Sequence, residues 1–218
     1  MNKRGILDMT TGPFFKKILI FAFPLMLTGV LQLIYNAADI MVVGRFAGSA
    51  ALAAVGSTSS LINLIINLFI GLSTGAGVIT ARHIGANLSE RMHKCVHTAM
   101  AISIISGLAV CLFGYFLSGT FLKLMGTPED VLPLATKYLK IYFLSAPGSL
   151  VYNFGASIVR ATKKTKRPLY ILASTGIVNV ILNLVLVTVF HLDVAGVAIA
   201  TIVAQYISAI LIVARLTH

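Results

Sequence analysis

Only six of the 218 residues are acidic, and charged residues of both signs make up 11% of the chain, against about 25% in soluble domains. With 58% of residues hydrophobic, that scarcity excludes an ordinary soluble domain and leaves a polytopic membrane protein. Cysteine is also sparse. Cys95 and Cys111 lie beside or inside a hydrophobic run with no CxxC and no Cys/His spacing, which excludes a disulfide framework and a zinc site and leaves packing as their role. The motifs of covalent and acid–base chemistry are missing as well: no Ser/His/Asp order, no phosphate-binding glycine loop and no paired interior carboxylates. An enzyme is therefore not expected, and no cofactor is implied. His93 and His97 share a helical face, but the basic loop beside them offers no third ligand, so no metal site is expected there.

What is abundant is apolar sequence in membrane-length runs. Windows of about 20 apolar residues predict six spans, near 15–42, 52–80, 95–122, 134–158, 168–190 and 194–215, in a single all-α bundle covering 1–218. The first run is longer than a signal-peptide core and no small-residue cleavage site closes it, so it reads as a retained span. Pro24 and Pro147 are the expected kinks. The net charge of +11 does not point to nucleic acid, because the 17 basic residues cluster between hydrophobic runs. Thirteen fall before span one, between spans two and three, between spans four and five, or at the end. Arg45, Lys123, Lys137 and Lys140 are the four on the other side. The positive-inside bias then predicts a multi-pass protein of the cell membrane with both termini cytoplasmic.

Shorter signals refine that picture. The series from Gly48 to Gly56 and the run Gly71 to Gly77 read as close-packing surfaces. Gly126-Thr127-Pro128 predicts a turn, with Thr127 capping a helix whose first turn holds Glu129 and Asp130. Just after it, Tyr138 is expected to face inward while Lys137 and Lys140 reach toward the headgroups.

Among the acids, Asp8, Glu90, Glu129, Asp130 and Asp193 fall in polar or connecting segments, so Asp39 alone lies within a hydrophobic span. An ionisable group there costs roughly 3 kcal/mol on insertion scales and characteristically faces a cavity or a partner. Asn179 and Asn183 are four residues apart on span five, Thr201 and Gln205 repeat the relation on span six, and Asn36 lies one turn before Asp39. Together they predict a polar cluster near mid-membrane. Asn63 and Asn67 repeat the amide spacing in span two, and Asn153 adds polarity to span four. Taken singly, such groups serve as glue between helices, at about 0.6–2 kcal/mol per contact. With the carboxylate among them they can do more. Desolvation disfavours the charged form of an acid, so Asp39 can exchange a proton for a cationic substrate, or join amide and hydroxyl oxygens around a sodium ion.

These residues resemble the bacterial and archaeal branch of the multidrug and toxic compound extrusion (MATE) family over nearly the whole chain. The likeness rests on Pro24 followed by Asp39-Ile40-Met41-Val42-Val43-Gly44-Arg45, on Gly48 with Leu52-Ala53-Ala54-Val55-Gly56, on Gly75-Ala76-Gly77 with Ala81-Arg82 and Gly85-Ala86, and on Arg160-Ala161 with Thr165-Lys166-Arg167-Pro168. The resemblance implies a secondary antiporter that expels organic cations against a proton or sodium gradient by alternating access between two six-helix lobes. This chain is similar to the N-terminal lobe. Matching motif positions implies an ion-coupling cavity formed by Asp39, Tyr138, Asn179, Asn183 and Thr201. Asn183 stands where many relatives have Asp, which leaves Asp39 to carry the charge change alone, and Thr162-Lys163-Lys164 replaces a common Gly-Asp.

The family pattern needs about twelve spans and this chain ends at Thr217-His218, just after the sixth. A fragment, a split gene product and a half-transporter that pairs with a second six-helix half or with itself are all open. Two other readings stand beside the antiporter. One is a lipid-linked flippase of the same superfamily, which would want an intramembrane cationic cluster that the sequence lacks. The other is a non-transporting subunit or scaffold, for which enlarging Gly75 or Gly77 would matter and Asp39→Asn would not.

Overall fold

The computed structural model describes residues 14–162 and 164–217, all helix and short connection among the described residues. The basic and acidic residues Lys3, Arg4 and Asp8 of the N-terminal topology signal, Lys163 of the basic loop and His218 lie outside the described residues. The helices are α1 (Phe14–Val42), α2 (Gly48–Gly85), α3 (Ser89–Leu124), α4 (Leu132–Phe143), α5 (Ala146–Ala161), α6 (Lys166–Thr188) and α7 (Asp193–Thr217). A π-helical turn, Val43–Ala47, joins α1 to α2 and ends at Gly48, whose φ of +87° suits a residue without Cβ.

Among the described residues, four stretches are long and apolar enough to cross a membrane: Phe15–Gly85, Ser89–Leu124, Lys166–Thr188 and Asp193–Thr217. The first, 71 residues long, contains two helices of 29 and 38 residues, each of spanning length. The predicted fourth run, 134–158, is not one helix. Pro147 has no amide hydrogen and cannot continue an α-helical ladder, so the run divides into α4, of 12 residues, and α5, of 16. Only end to end do they reach membrane length. Pro24, by contrast, lies inside an unbroken α1, where the Thr28 hydroxyl donates to the Pro24 carbonyl at 2.8 Å.

The predicted cap before α4 is corrected. The helix starts at Leu132 with Pro133 in its first turn and no acid there, because proline fits that position and sets the start. Pro128 O accepts from the amides of Val131 and Leu132, leaving Glu129 and Asp130 in the exposed turn before the helix. Tyr138 is buried, Lys137 is exposed, and the Lys140 ammonium sits 5.4 Å from the centre of the Tyr115 ring.

The centre of the bundle is α5, packed against α2, α3 and α7, while α1 lies against α6. Small residues allow these approaches. A Cβ on Gly77 would strike Ser157, and one on Gly107 would come within 2.6 Å of the Pro147 Cα. Gly75, in the same small-residue run as Gly77, faces open space. The run is a packing surface on one side only.

Candidate functional site

The approach of α1 to α6 is where the polar side chains converge. The Tyr35 hydroxyl donates to Ala173 O at 3.1 Å, and its ring lies so close to Gly176 that any larger residue there would meet it. Tyr35 therefore fixes how α1 sits on α6. Asp39 follows one helical turn later on the same face, half-buried, with its carboxylate turned to Asn183.

Asn183 is fully buried. Its side-chain NH2 donates to Asp39 Oδ1 and to Asn179 Oδ1, the second at 3.3 Å. Asn179 Nδ2 in turn donates to Thr201 Oγ1 on α7 at 3.5 Å, and the Thr201 hydroxyl donates to Val197 O at 3.0 Å. One chain of hydrogen bonds thus crosses three helices, from the carboxylate on α1 through two amides on α6 to a hydroxyl on α7. The i, i+4 spacing of the amides puts them one above the other, and burial obliges each to find partners.

The chain is incomplete at one point. Asn183 Oδ1 is buried without a partner among the described residues. A buried acceptor left in that state costs about 1–3 kcal/mol. It lies on the amide that already touches Asp39, so a proton carried by the carboxyl group or a small cation beside it would answer both groups. An acid at position 183 would bring no amide donor to Asp39. Asn183 instead supplies one, and spends its other N–H on Asn179, which suits a site in which a single carboxylate changes charge.

Tyr138, on α4, completes the wall. Its ring centre is 5.9 Å from that of Tyr142, and it is buried in one core cluster with Val42, Val187 and Val197, each about one helical turn from Asp39, Asn183 or Thr201. Five of the six expected residues are therefore gathered: Asp39, Tyr138, Asn179, Asn183 and Thr201. Asn36 is not among them, for it is exposed on α1 and makes no side-chain hydrogen bond among the described residues. Gln205 is also apart; its backbone is where α7 meets Gly148. Asn153 bonds within its own helix, to Ser149 O at 2.8 Å.

Two residues escaped the sequence reading, Tyr35 and Tyr142. Each stands four positions from a residue that was singled out, Asp39 and Tyr138, so the helical repeat that grouped the amides would have found them.

The MatE family profile matches residues 24–185. The probable multidrug resistance protein YpnP of Bacillus subtilis is 30% identical over 92% of this chain and 45% of its own length. The multidrug export protein MepA of Staphylococcus aureus is 28% identical over 91% and 44% respectively. Among solved structures, a MOP superfamily transporter from Pyrococcus furiosus superposes with a TM-score of 0.85 at 25% identity, over 92% of this chain and 44% of its own. The chain spans about half the length of the relatives it matches.

Proposed function

The chain belongs to the MatE family, a family of membrane transporters, and from that premise we propose that it forms one six-span half of a secondary antiporter that exports organic cations in exchange for protons or sodium ions. The observation that carries this reading is the single intramembrane carboxylate hydrogen-bonded to Asn183 and, through Asn179, to Thr201. Asp39 is the coupling residue. Coupling ion and cationic substrate compete for the same negative charge, so occupancy by one favours release of the other. Tyr138, buried beside the site, bounds it on the α4 side, and the unpartnered Asn183 oxygen adds an acceptor for the ion.

Alternating access needs a second wall. A second six-helix half, or another copy of this chain, supplies it across the cavity. The partners are then the lipid bilayer, small organic cations and that second half. The excess of basic residues on one side supports a place in the cell membrane with both termini cytoplasmic.

Two measurements test this. Ethidium efflux from cells producing the chain is expected to fail when one ion gradient is collapsed and to fail in Asp39→Asn at matched expression; efflux indifferent to the substitution would overturn the role of Asp39. The purified chain tests the site without a second half. Its melting temperature is expected to rise with sodium relative to choline, or with falling pH, because a ligand bound only to the folded state stabilises it. That response should vanish in Asp39→Asn, and a response that persists sinks the assignment.

A further inference from the structure

Among the described residues, the break between α4 and α5 is the one place where a membrane span loses its helical ladder without a change of side. Pro147 cannot donate, so the Phe143 carbonyl, four residues earlier, has no α-helical donor. At membrane depth a freed backbone group must find another partner within the protein or in trapped water. Its neighbours have found theirs. Tyr142 O accepts from the Ser145 amide at 2.9 Å and from its hydroxyl at 2.7 Å, and Leu144 O accepts from the Tyr206 hydroxyl of α7 at 3.2 Å.

Beside the break lies a cavity of about 30 Å³ between α2, α3, α4 and α5. Ile65 and Val110 give it apolar walls, Ser145, Ser149 and Asn153 give it a polar side, and Tyr142 and Phe143 border it. One water needs roughly 10–15 Å³ by this measure, with two to four polar partners. Asn153 Nδ2 is turned back to Ser149, which leaves the Asn153 amide oxygen as an acceptor. Size and chemistry both suit one or two waters.

We propose that this break binds one or two water molecules, and that the hydrated break is the pivot on which α4 moves Tyr138 and Tyr142 relative to Asp39. The first half stands on the cavity alone; the second rests on the coupling role proposed for Asp39. The break is gripped at two points, by Gly107 of α3 against Pro147 and by Gly148 against the Gln205 backbone of α7. Below it α5 is held by Gly77 against Ser157 and by Gly155 against Ile212. The helix above the break is packed too, with the Phe143 ring against Gly114 of α3, so it turns as a unit. Its hydrogen bonds across the break are the short bonds from the Leu144 amide to Ile141 O at 3.1 Å and from the Ser145 amide to Tyr142 O at 2.9 Å, with the Ser145 hydroxyl beside the second. Bending there exchanges partners and does not break a ladder.

Hydroxyl-radical labelling by X-ray pulses detects ordered water beside a side chain and needs no transport. Phe143 and Phe154 are both buried, at 2% and 3% exposure, and only Phe143 borders the cavity. In the purified chain in lipid nanodiscs, Phe143 is expected to label several-fold faster than Phe154. Pro147→Ala, which restores the missing N–H, and Ser149→Val, which removes a polar partner and fills space, should each bring Phe143 down to the Phe154 rate. Equal rates in the unmodified chain overturn the water site. For the pivot, spin labels at the exposed Lys137 and Arg91 should change separation when the coupling ion is added, and Pro147→Ala should abolish the change. A change that survives Pro147→Ala overturns the pivot. No change in the unmodified chain, with Phe143 still labelled and the ion still raising the melting temperature, overturns the pivot and leaves the water site and the coupling reading standing. No change together with no melting response removes the coupling reading itself.

Discussion

Two pairs of asparagines share one spacing and meet opposite fates. Asn179 and Asn183 on α6 are buried and bonded to each other, to Asp39 and to Thr201. Asn63 and Asn67 on α2 stand exposed, with no side-chain hydrogen bond among the described residues. The repeat of 3.6 residues puts each pair on one face of its helix, and nothing in the spacing says which way that face looks. What separates them is the neighbour: α6 lies between α1 and α7, whose side chains reach inward, whereas the Asn63 and Asn67 face of α2 has no helix against it among the described residues. A polar pair becomes a site only when a third helix supplies what the pair lacks.

That contrast can be broken by substitution. Asn183→Leu has the largest expected effect, because it removes the donor to a half-buried carboxylate: about 2–3 kcal/mol of stability, seen in denaturant unfolding from mixed micelles, together with loss of ion-dependent stabilisation. If Asn183→Leu is as stable as the parent and still responds to the ion, the network is only a contact between helices. Next comes a pair of glycines that differ as the asparagines do. Gly77→Val, which meets Ser157, should cost about 1–3 kcal/mol and lower expression, while Gly75→Val, pointing into open space, should do neither. Equal losses at both would show that the open side of α2 is covered in the assembled protein.

Smaller effects sharpen the comparison. Thr201→Val keeps the shape and removes the hydroxyl, and should cost about 0.6–2 kcal/mol, with the ion response weakened and not abolished. Asn63→Leu combined with Asn67→Leu should shift stability by less than about 0.5 kcal/mol and leave ion-dependent stabilisation as it was. A lost response there would place a second polar site on α2.

Much of this could be read before the fold was known. Asp39 stood out because no other acid lies within an apolar run, a property of composition alone. The amide spacing and the isolated Pro147 were visible in the same way. Asn36 shows where such reading stops. It lies three residues from Asp39, near enough on a helix to be grouped with it, yet it faces outward while Tyr35 faces α6. The start of α4 was misplaced because Thr127 and two acids make a plausible cap, and Pro133 six residues after Thr127 outweighed it.

The division between sequence and tertiary structure follows from the range of the interactions. Hydropathy, charge asymmetry, proline's missing hydrogen and glycine's missing Cβ act within a turn or two, so a membrane bundle, its apolar runs, two candidate kinks at Pro24 and Pro147 and the isolation of one carboxylate were legible in the chain alone, while which proline breaks its helix was not. The partners of that carboxylate lie on helices more than a hundred residues away in the chain, since Asn183 and Asp39 are 144 positions apart. Their meeting depends on the rotation and register of α1 against α6, set by Tyr35 filling the space over Gly176. Only packing between distant helices decides that, and so only the tertiary structure could turn a list of polar residues into a site.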